Sequence, residues 1–91
     1  MELAWSERKR SLNLKQHGLD IVDAHAVFAG LTFTYEDDRF SYNEQRFVTL
    51  GLLAGVPVSI VHTETAHEIR IISLRKATRR EAQLFSAAVK D

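Results

Sequence analysis

The chain has no cysteine. A disulfide framework, a thiol nucleophile and a cysteine-ligated metal are therefore excluded, and the absence fits a cytosolic protein. Proline occurs once and glycine four times in 91 residues. No Pro/Gly-rich linker, repeat or low-complexity segment is present, and the few breakers fall where turns or caps are wanted. Long hydrophobic runs are missing too. The longest low-polarity stretch, Leu50 to Val61, is broken by Gly55 and Pro57 and is shorter than the roughly 20 residues a spanning helix needs. The opening Met-Glu-Leu-Ala-Trp-Ser-Glu lacks the basic-then-apolar order of a signal peptide. Together these absences predict a cytoplasmic protein with no membrane partner. At 45% hydrophobic and 26% charged, the composition is that of one globular domain over residues 1–91, not of a disordered tail. A domain this short has a thin core, which a partner would complete.

Net charge is also absent, with twelve Lys/Arg offset by twelve Asp/Glu. The balance conceals a gradient. Residues 1–45 hold five basic and eight acidic side chains, a net of −3; residues 46–91 hold seven and four, a net of +3. Between Ile69 and Arg80 stand Arg70, Arg75, Lys76, Arg79 and Arg80 with no acid among them. Such asymmetry points to an anionic partner.

The spacing predicts the elements. Ser6 caps a mostly polar helix that ends at Gly18, with Leu12, Trp5 and Leu19 expected to face the core. Asp20 caps a second helix with an apolar stripe of Ile21, Ala24, Val27 and Phe28, stopped at Gly30. Leu31, Phe33 and Tyr35 alternate as in a half-buried strand. Phe47–Leu53 and Val56–Glu64 read as strands joined by a tight Ala54-Gly55 turn, and Glu68–Arg75 as a fourth strand. Thr78 and Glu81 have capping-box spacing ahead of a final amphipathic helix carrying Ala82, Phe85, Ala88 and Val89. The expected fold is α+β in the order α-α-β-β-β-β-α. It has a four-stranded antiparallel sheet with its helices on one face.

Three constellations could carry chemistry. The basic segment Arg70 to Arg80 runs from the last strand into a helix start. A regular strand puts Arg70, Ile72, Leu74 and Lys76 on one face, and Ile71, Ser73 and Arg75 on the other. Arg79 and Arg80 occupy the first helical turn, the unfavourable end for a cation, which makes sense if an anion binds there. Guanidinium forks and a helix N-terminus both suit phosphate; a solvated charged face is the alternative. His62 and Glu64 share a strand face and could move protons; a strand-end histidine without chemistry is the alternative. Neither they nor His67 have convincing metal-ligand spacing, so no metal is expected. His17 reads as a helix-end residue and His25 as helix surface. Glu36-Asp37-Asp38-Arg39 could bind a cation through its acids or simply end the first strand. Phe40 and Tyr42, in a polar connection, could stack a base, seat a partner or anchor the loop.

A wider set of residues resembles the BrnT family of type II toxins. It comprises Trp5, Asn13-Leu-Lys-Gln-His17-Gly18, Ala24-x-x-Val27-Phe28, Glu36-Asp37-x-Arg39 and Glu44-x-Arg46-Phe47-Val-Thr-Leu-Gly51. Val61-His62-Thr63-Glu64 and Ile69-Arg70-Ile71-Ile72-Ser73-Leu74-Arg75-Lys76-Ala77 follow, then Glu81. The resemblance implies a small bacterial ribonuclease toxin of RelE-like fold that works without a cofactor. It also implies neutralisation by a BrnA-type ribbon-helix-helix antitoxin in a complex of two toxins and two antitoxins, which reaches DNA only through the antitoxin. Carried onto this chain, it points to Arg70, Arg75 and Lys76, with His62 and Glu64 nearby. Arg79, Arg80 and His67 are further RNA-binding candidates. Two positions depart from the pattern: Thr65 stands where members often have arginine, and Phe40 where many have histidine. If either residue assists cleavage elsewhere, this chain is slower or uses His67 instead.

The functional expectation is RNA cleavage by the substrate's own 2′-hydroxyl, with cations on the phosphate and His62 or Glu64 moving protons. The competing expectation is a non-catalytic module whose basic strip docks a partner protein or nucleic acid.

Overall fold

The computed structural model describes residues 2–39 and 43–90. In chain order it forms strand β1 (Glu2–Ala4), helix α1 (Glu7–His17), a single 3-10 turn (Ile21–Asp23) and helix α2 (Ala24–Phe28). Strands β2 (Phe33–Glu36), β3 (Phe47–Leu53), β4 (Val56–Glu64) and β5 (Glu68–Lys76) follow, then helix α3 (Arg79–Val89).

The sheet has five strands in the order β1-β5-β4-β3-β2, not the expected four. β2 to β5 form the anticipated antiparallel meander. β1 adds to the outer side of β5 in parallel, with Leu3 opposite Ile69 and Ala4 opposite Arg70. Its amide at Glu2 also donates to the His67 carbonyl at 3.1 Å. A three-residue strand is too short for alternation to show, and its partner lies at the far end of the chain.

The helices do not share a face. Opposed residues of an antiparallel pair project to the same side, so Gly51, Val58 and Ile60 mark one face and Val48, Leu50 and Val61 the other. The first face buries Val58, Ile60, Ile71 and Leu74 against Ile21, Ala24 and Val27 of the 3-10 turn and α2. The second packs Val48 and Leu50 against Phe85 of α3, with Phe33, Tyr35 and Val89 around them. Short connections restrict which strands are neighbours, but they leave a terminal helix free to choose its side.

Most local signals hold. Ser6 Oγ accepts from the Lys9 amide, and Gly18 closes α1 in the left-handed region at φ 69°. Asp20 caps the 3-10 turn. Ala54 and Gly55 both take positive φ, as a two-residue hairpin turn requires. The Thr78–Glu81 capping box is complete in both directions. Gly51 departs from the expectation for glycines, since it lies inside β3. A Cβ there would come within 2.7 Å of Val27 Cγ1, so its absence lets α2 approach the sheet.

α1 is held differently from the other elements. Leu12, expected in the core, is 44% exposed, whereas Asn13 is only 4% exposed. The Asn13 side chain accepts from the Leu74 amide at 2.9 Å and donates to the Leu74 carbonyl at 2.7 Å and the Leu19 carbonyl at 2.9 Å. It therefore acts as a one-residue continuation of the sheet beyond β1. Arg10 adds a two-pronged ion pair to Asp20, at 2.8 and 3.0 Å. The shortening of Asn13 to alanine would orphan both main-chain groups of Leu74. Asn13→Ala should lower stability by about 2–4 kcal/mol, while Leu12→Ala should change it by less than about 1 kcal/mol. Urea unfolding midpoints at unchanged slope would measure both.

Candidate functional site

The site starts from an irregularity in β5. Val61 opposes Ser73 and His62 opposes Ile71, so Ile72 is an extra residue in the ladder. Such a bulge shifts the alternation by one. Arg70 therefore projects with Thr63, on the side shared by Val61 with Ser73 and Ser59 with Arg75. Lys76 pairs with Val58 and projects to the opposite side. This corrects the regular-strand expectation: Arg70 shares a face with Arg75, the face that carries α3, and not with Lys76. No periodicity in the sequence marks the slip, which arises in the pairing with β4.

The two arginines are engaged differently. Arg75 grips Glu81 of α3 with both nitrogens, at 2.8 and 2.9 Å, with the pair 28% and 16% exposed. Burial pushes the Glu81 carboxyl up, but hydrogen bonds from Arg75 and the Thr78 amide outweigh it, and its pKa lies below the usual value. Arg75 is thus largely neutralised and fixes the start of α3. Arg70 makes an exposed pair with Glu68 at 3.3 Å, the kind that contributes little, so its charge is available to an anion.

Beside Arg70 lies a cavity of about 220 Å³ walled by Ser6, the N-cap of α1, Lys9 of α1, Glu44, Arg46, Thr63 and Ile72. A second, more open hollow of about 500 Å³ is bounded by Tyr35, Arg39, Arg75, Arg80, Glu81 and Leu84. Arg79 and Arg80 are exposed in the first turn of α3. His67 is exposed in the β4–β5 turn. Lys9 belongs to the acid-rich half of the chain, so the charge gradient gave no reason to select it. In the sequence, Arg46 falls between an acidic and an apolar stretch, away from the basic segment.

His62 lies on the other face, where it is fully buried. Phe47 stacks on its ring at 5.9 Å and Phe28 meets it edge-on at 5.6 Å. Its Nε2 is hydrogen-bonded with Thr49 Oγ1 at 2.7 Å, and Thr49 Oγ1 with Thr34 Oγ1 at 2.7 Å. Burial lowers its pKa from 6.5 to about 4. Glu64 Oε1 lies 3.6 Å from Nδ1, but burial dominates, so the ring is neutral near pH 7 and the contact is no ion pair. Glu64 is exposed at the end of β4. His62 and Glu64 thus share a face as expected, but it is not the face of Arg70 and Arg75.

The acidic run resolves into structure. Asp37 is buried, and Arg39 Nε donates to its carboxylate at 2.8 Å. That hydrogen bond outweighs burial and holds the carboxyl below the usual range. Phe40 and Tyr42 lie outside the described residues. No helix of the described residues is long and apolar enough to cross a membrane.

Comparisons with known proteins bear on the family and the fold. A family model described as the ribonuclease toxin, BrnT, of type II toxin–antitoxin systems matches residues 5–81. No curated protein matches the chain. Among solved structures, the ribonuclease toxin BrnT of Brucella abortus matches with a TM-score of 0.64 at 23% identity, over 87% of this chain and 99% of that one. At that identity the likeness shows the fold. It also makes a BrnT-type fold the closer description than the RelE-like label.

Burial of His62 has a consequence for stability. The unfolded imidazole takes its proton near pH 6.5, the folded one only near pH 4. Between these values the unfolded state binds more protons. Stability from this residue is therefore full above pH 6.5 and falls as the pH drops towards 4, by up to about 1.4 kcal/mol per unit. Lowering the pH from 7 to 5 should remove about 2 kcal/mol from wild type. The loss should be much smaller in His62→Gln, as read from urea midpoints at each pH.

Proposed function

The chain belongs to the BrnT family of type II toxin–antitoxin ribonuclease toxins, and from that membership we propose that it cuts RNA by a metal-independent attack of the substrate's 2′-hydroxyl. The observation that supports this most is the bulge at Ile72, which turns Arg70 and Arg75 to one face. In this reaction the 2′-oxygen bonds to phosphorus and the bond to the 5′-oxygen breaks. The hydroxyl proton passes to a base, and another proton reaches the leaving oxygen. The fragments carry a 2′,3′-cyclic phosphate and a 5′-hydroxyl.

Negative charge accumulates on the phosphorane oxygens, and fixed cations lower the barrier most by facing it. We assign Arg70 to that task. Arg75, locked by Glu81, holds the arginine strip and the start of α3 in place. Arg79 and Arg80 extend the positive surface along the RNA, and His67 is a further RNA contact. Lys76 projects away and takes no part at phosphorus. Of the two groups considered for proton transfer, Glu64 is exposed at the strand end, whereas His62 is sealed beneath Phe28 and Phe47. Glu64 is therefore the group assigned to the proton step, although it projects to the face opposite Arg70 and acts from the exposed end of β4. Such acid–base help is worth about 10²–10⁴-fold, so a loosely placed carboxylate still permits a slow toxin.

A type II toxin implies an antitoxin partner. In this reading the antitoxin is of the BrnA type and two copies bridge two toxins. The toxin touches DNA only through them, and its site is cytoplasmic.

The test is expression without an antitoxin, paired with cleavage of RNA by the purified chain in excess EDTA. Growth should stop and RNA should be cut. Arg70→Ala should restore growth and slow cleavage by about 10²–10³-fold, the usual loss for one charge-stabilising donor. Lys76→Ala should retain most activity. Cleavage that appears only after Mg²⁺ is added rejects the metal-free mechanism. A folded wild type that neither stops growth nor cuts RNA favours the non-catalytic module.

A further inference from the structure

The cavity beside Arg70 collects positive charge from three separate parts of the chain. Lys9 comes from the first turn of α1, Arg46 from the residue before β3 and Arg70 from β5. Ser6, the N-cap of α1, lies on the same wall. The positive end of an eleven-residue helix therefore adjoins the three cations. Lys9 makes no ion pair among the described residues. At about 220 Å³ the space is small for a base with its sugar but ample for a tetrahedral phosphate group. Glu44 is the acid on this wall, so the cations outnumber it three to one.

We propose that this cavity seats a phosphodiester of the bound RNA, with Lys9 and Arg46 as phosphate-binding residues beside Arg70. The inference rests on the RNA-cleaving reading and deepens it. The site is then composite. One cation comes from the basic C-terminal strand, one from the acid-rich N-terminal half and one from the start of a central strand. Asn13 holds α1 against β5 and thereby sets the place of Lys9 one turn earlier. RNA is favoured over an acidic segment of a partner protein because the cavity is continuous with Arg70 and joins guanidinium groups to a helix N-terminus, both suited to phosphate.

The experiment measures binding of a single-stranded 2′-O-methyl RNA, which cannot be cut, alongside cleavage of ordinary RNA. Lys9→Ala and Arg46→Ala should each raise Kd about tenfold, and each should flatten the dependence of log K on log salt by about 0.7. Lys9→Arg should restore binding. Glu44→Gln should act in the opposite sense and tighten it, an effect that damaged folding would not produce. Lys15→Ala, on the same helix but off the cavity wall, should leave Kd unchanged.

If wild type binds and cuts RNA while Lys9→Ala matches it in Kd and salt slope, the phosphate seat is wrong and the RNA-cleaving reading stands. If Lys9→Ala spares RNA binding but abolishes capture by an antitoxin, the cavity serves a protein carboxylate and the inference is again overturned. If wild type binds RNA without cutting it and the variants shift Kd as stated, the seat is supported and the cleavage reading fails. A wild type that neither binds nor cuts rejects both.

Discussion

The Asn13 side chain is the contact on which the arrangement of the candidate site depends. α1 has no apolar face to bury, and its leucines point outward. An amphipathic helix finds its place by hydrophobic burial, which tolerates small slips. A polar helix anchored by a primary amide does not have that latitude. Both main-chain groups of Leu74 and the Leu19 carbonyl are satisfied by one side chain, so α1 is set against the edge of β5 at a definite height. Any displacement would leave buried polar groups without partners. The same amide closes the sheet edge where β1 ends, which also blunts the tendency of an open strand to recruit another chain.

The bulge at Ile72 supplies the second constraint. A single extra residue decides which cations face together, because the side-chain period of a strand is two. With a regular ladder, Arg70 would join Lys76 on the face of α2. With the bulge it joins Arg75 on the face of α3. That face is left open beside Arg70 because α3 rests over β2, β3 and β4, on Val48 and Leu50. Arg75 then serves as a structural clamp: its fork grips Glu81, the glutamate of the capping box that starts α3, so helix placement and charge placement are linked through one residue pair.

The two faces of the sheet thus do different work. One is sealed and apolar, with His62 neutral in its centre between two phenylalanines and hydrogen-bonded to Thr49. The other combines a smaller core under α3 with an exposed cationic margin. A histidine buried neutral favours the folded state at neutral pH and penalises it in acid, a stability role separate from any chemistry. The chain's zero net charge reflects this division, since acids stabilise turns, caps and clamps while exposed cations gather at the margin.

Much was legible in the sequence, because it is encoded by neighbours along the chain. The caps at Ser6, Asp20 and Thr78, the Ala54-Gly55 turn, the β3–β4 hairpin and its residue bounds follow from local spacing and conformational preference. So does the presence of Arg70 and Arg75 in a basic last strand, and the quoted motifs were enough to suggest the family. Other features depend on residues far apart in the chain meeting in space. β1 exists only because β5 is there to pair with it. Asn13 is buried only because Leu74 presents an edge. α3 chooses its face by the fit of Phe85 on Val48 and Leu50. The slip at Ile72 arises between two strands and leaves no trace in either alone. His62 and the arginines, close in sequence, are separated by the thickness of a sheet, while Lys9 and Arg70, far apart in sequence, line one cavity. Local order set the elements; the pairing of their edges and faces decided which charges meet.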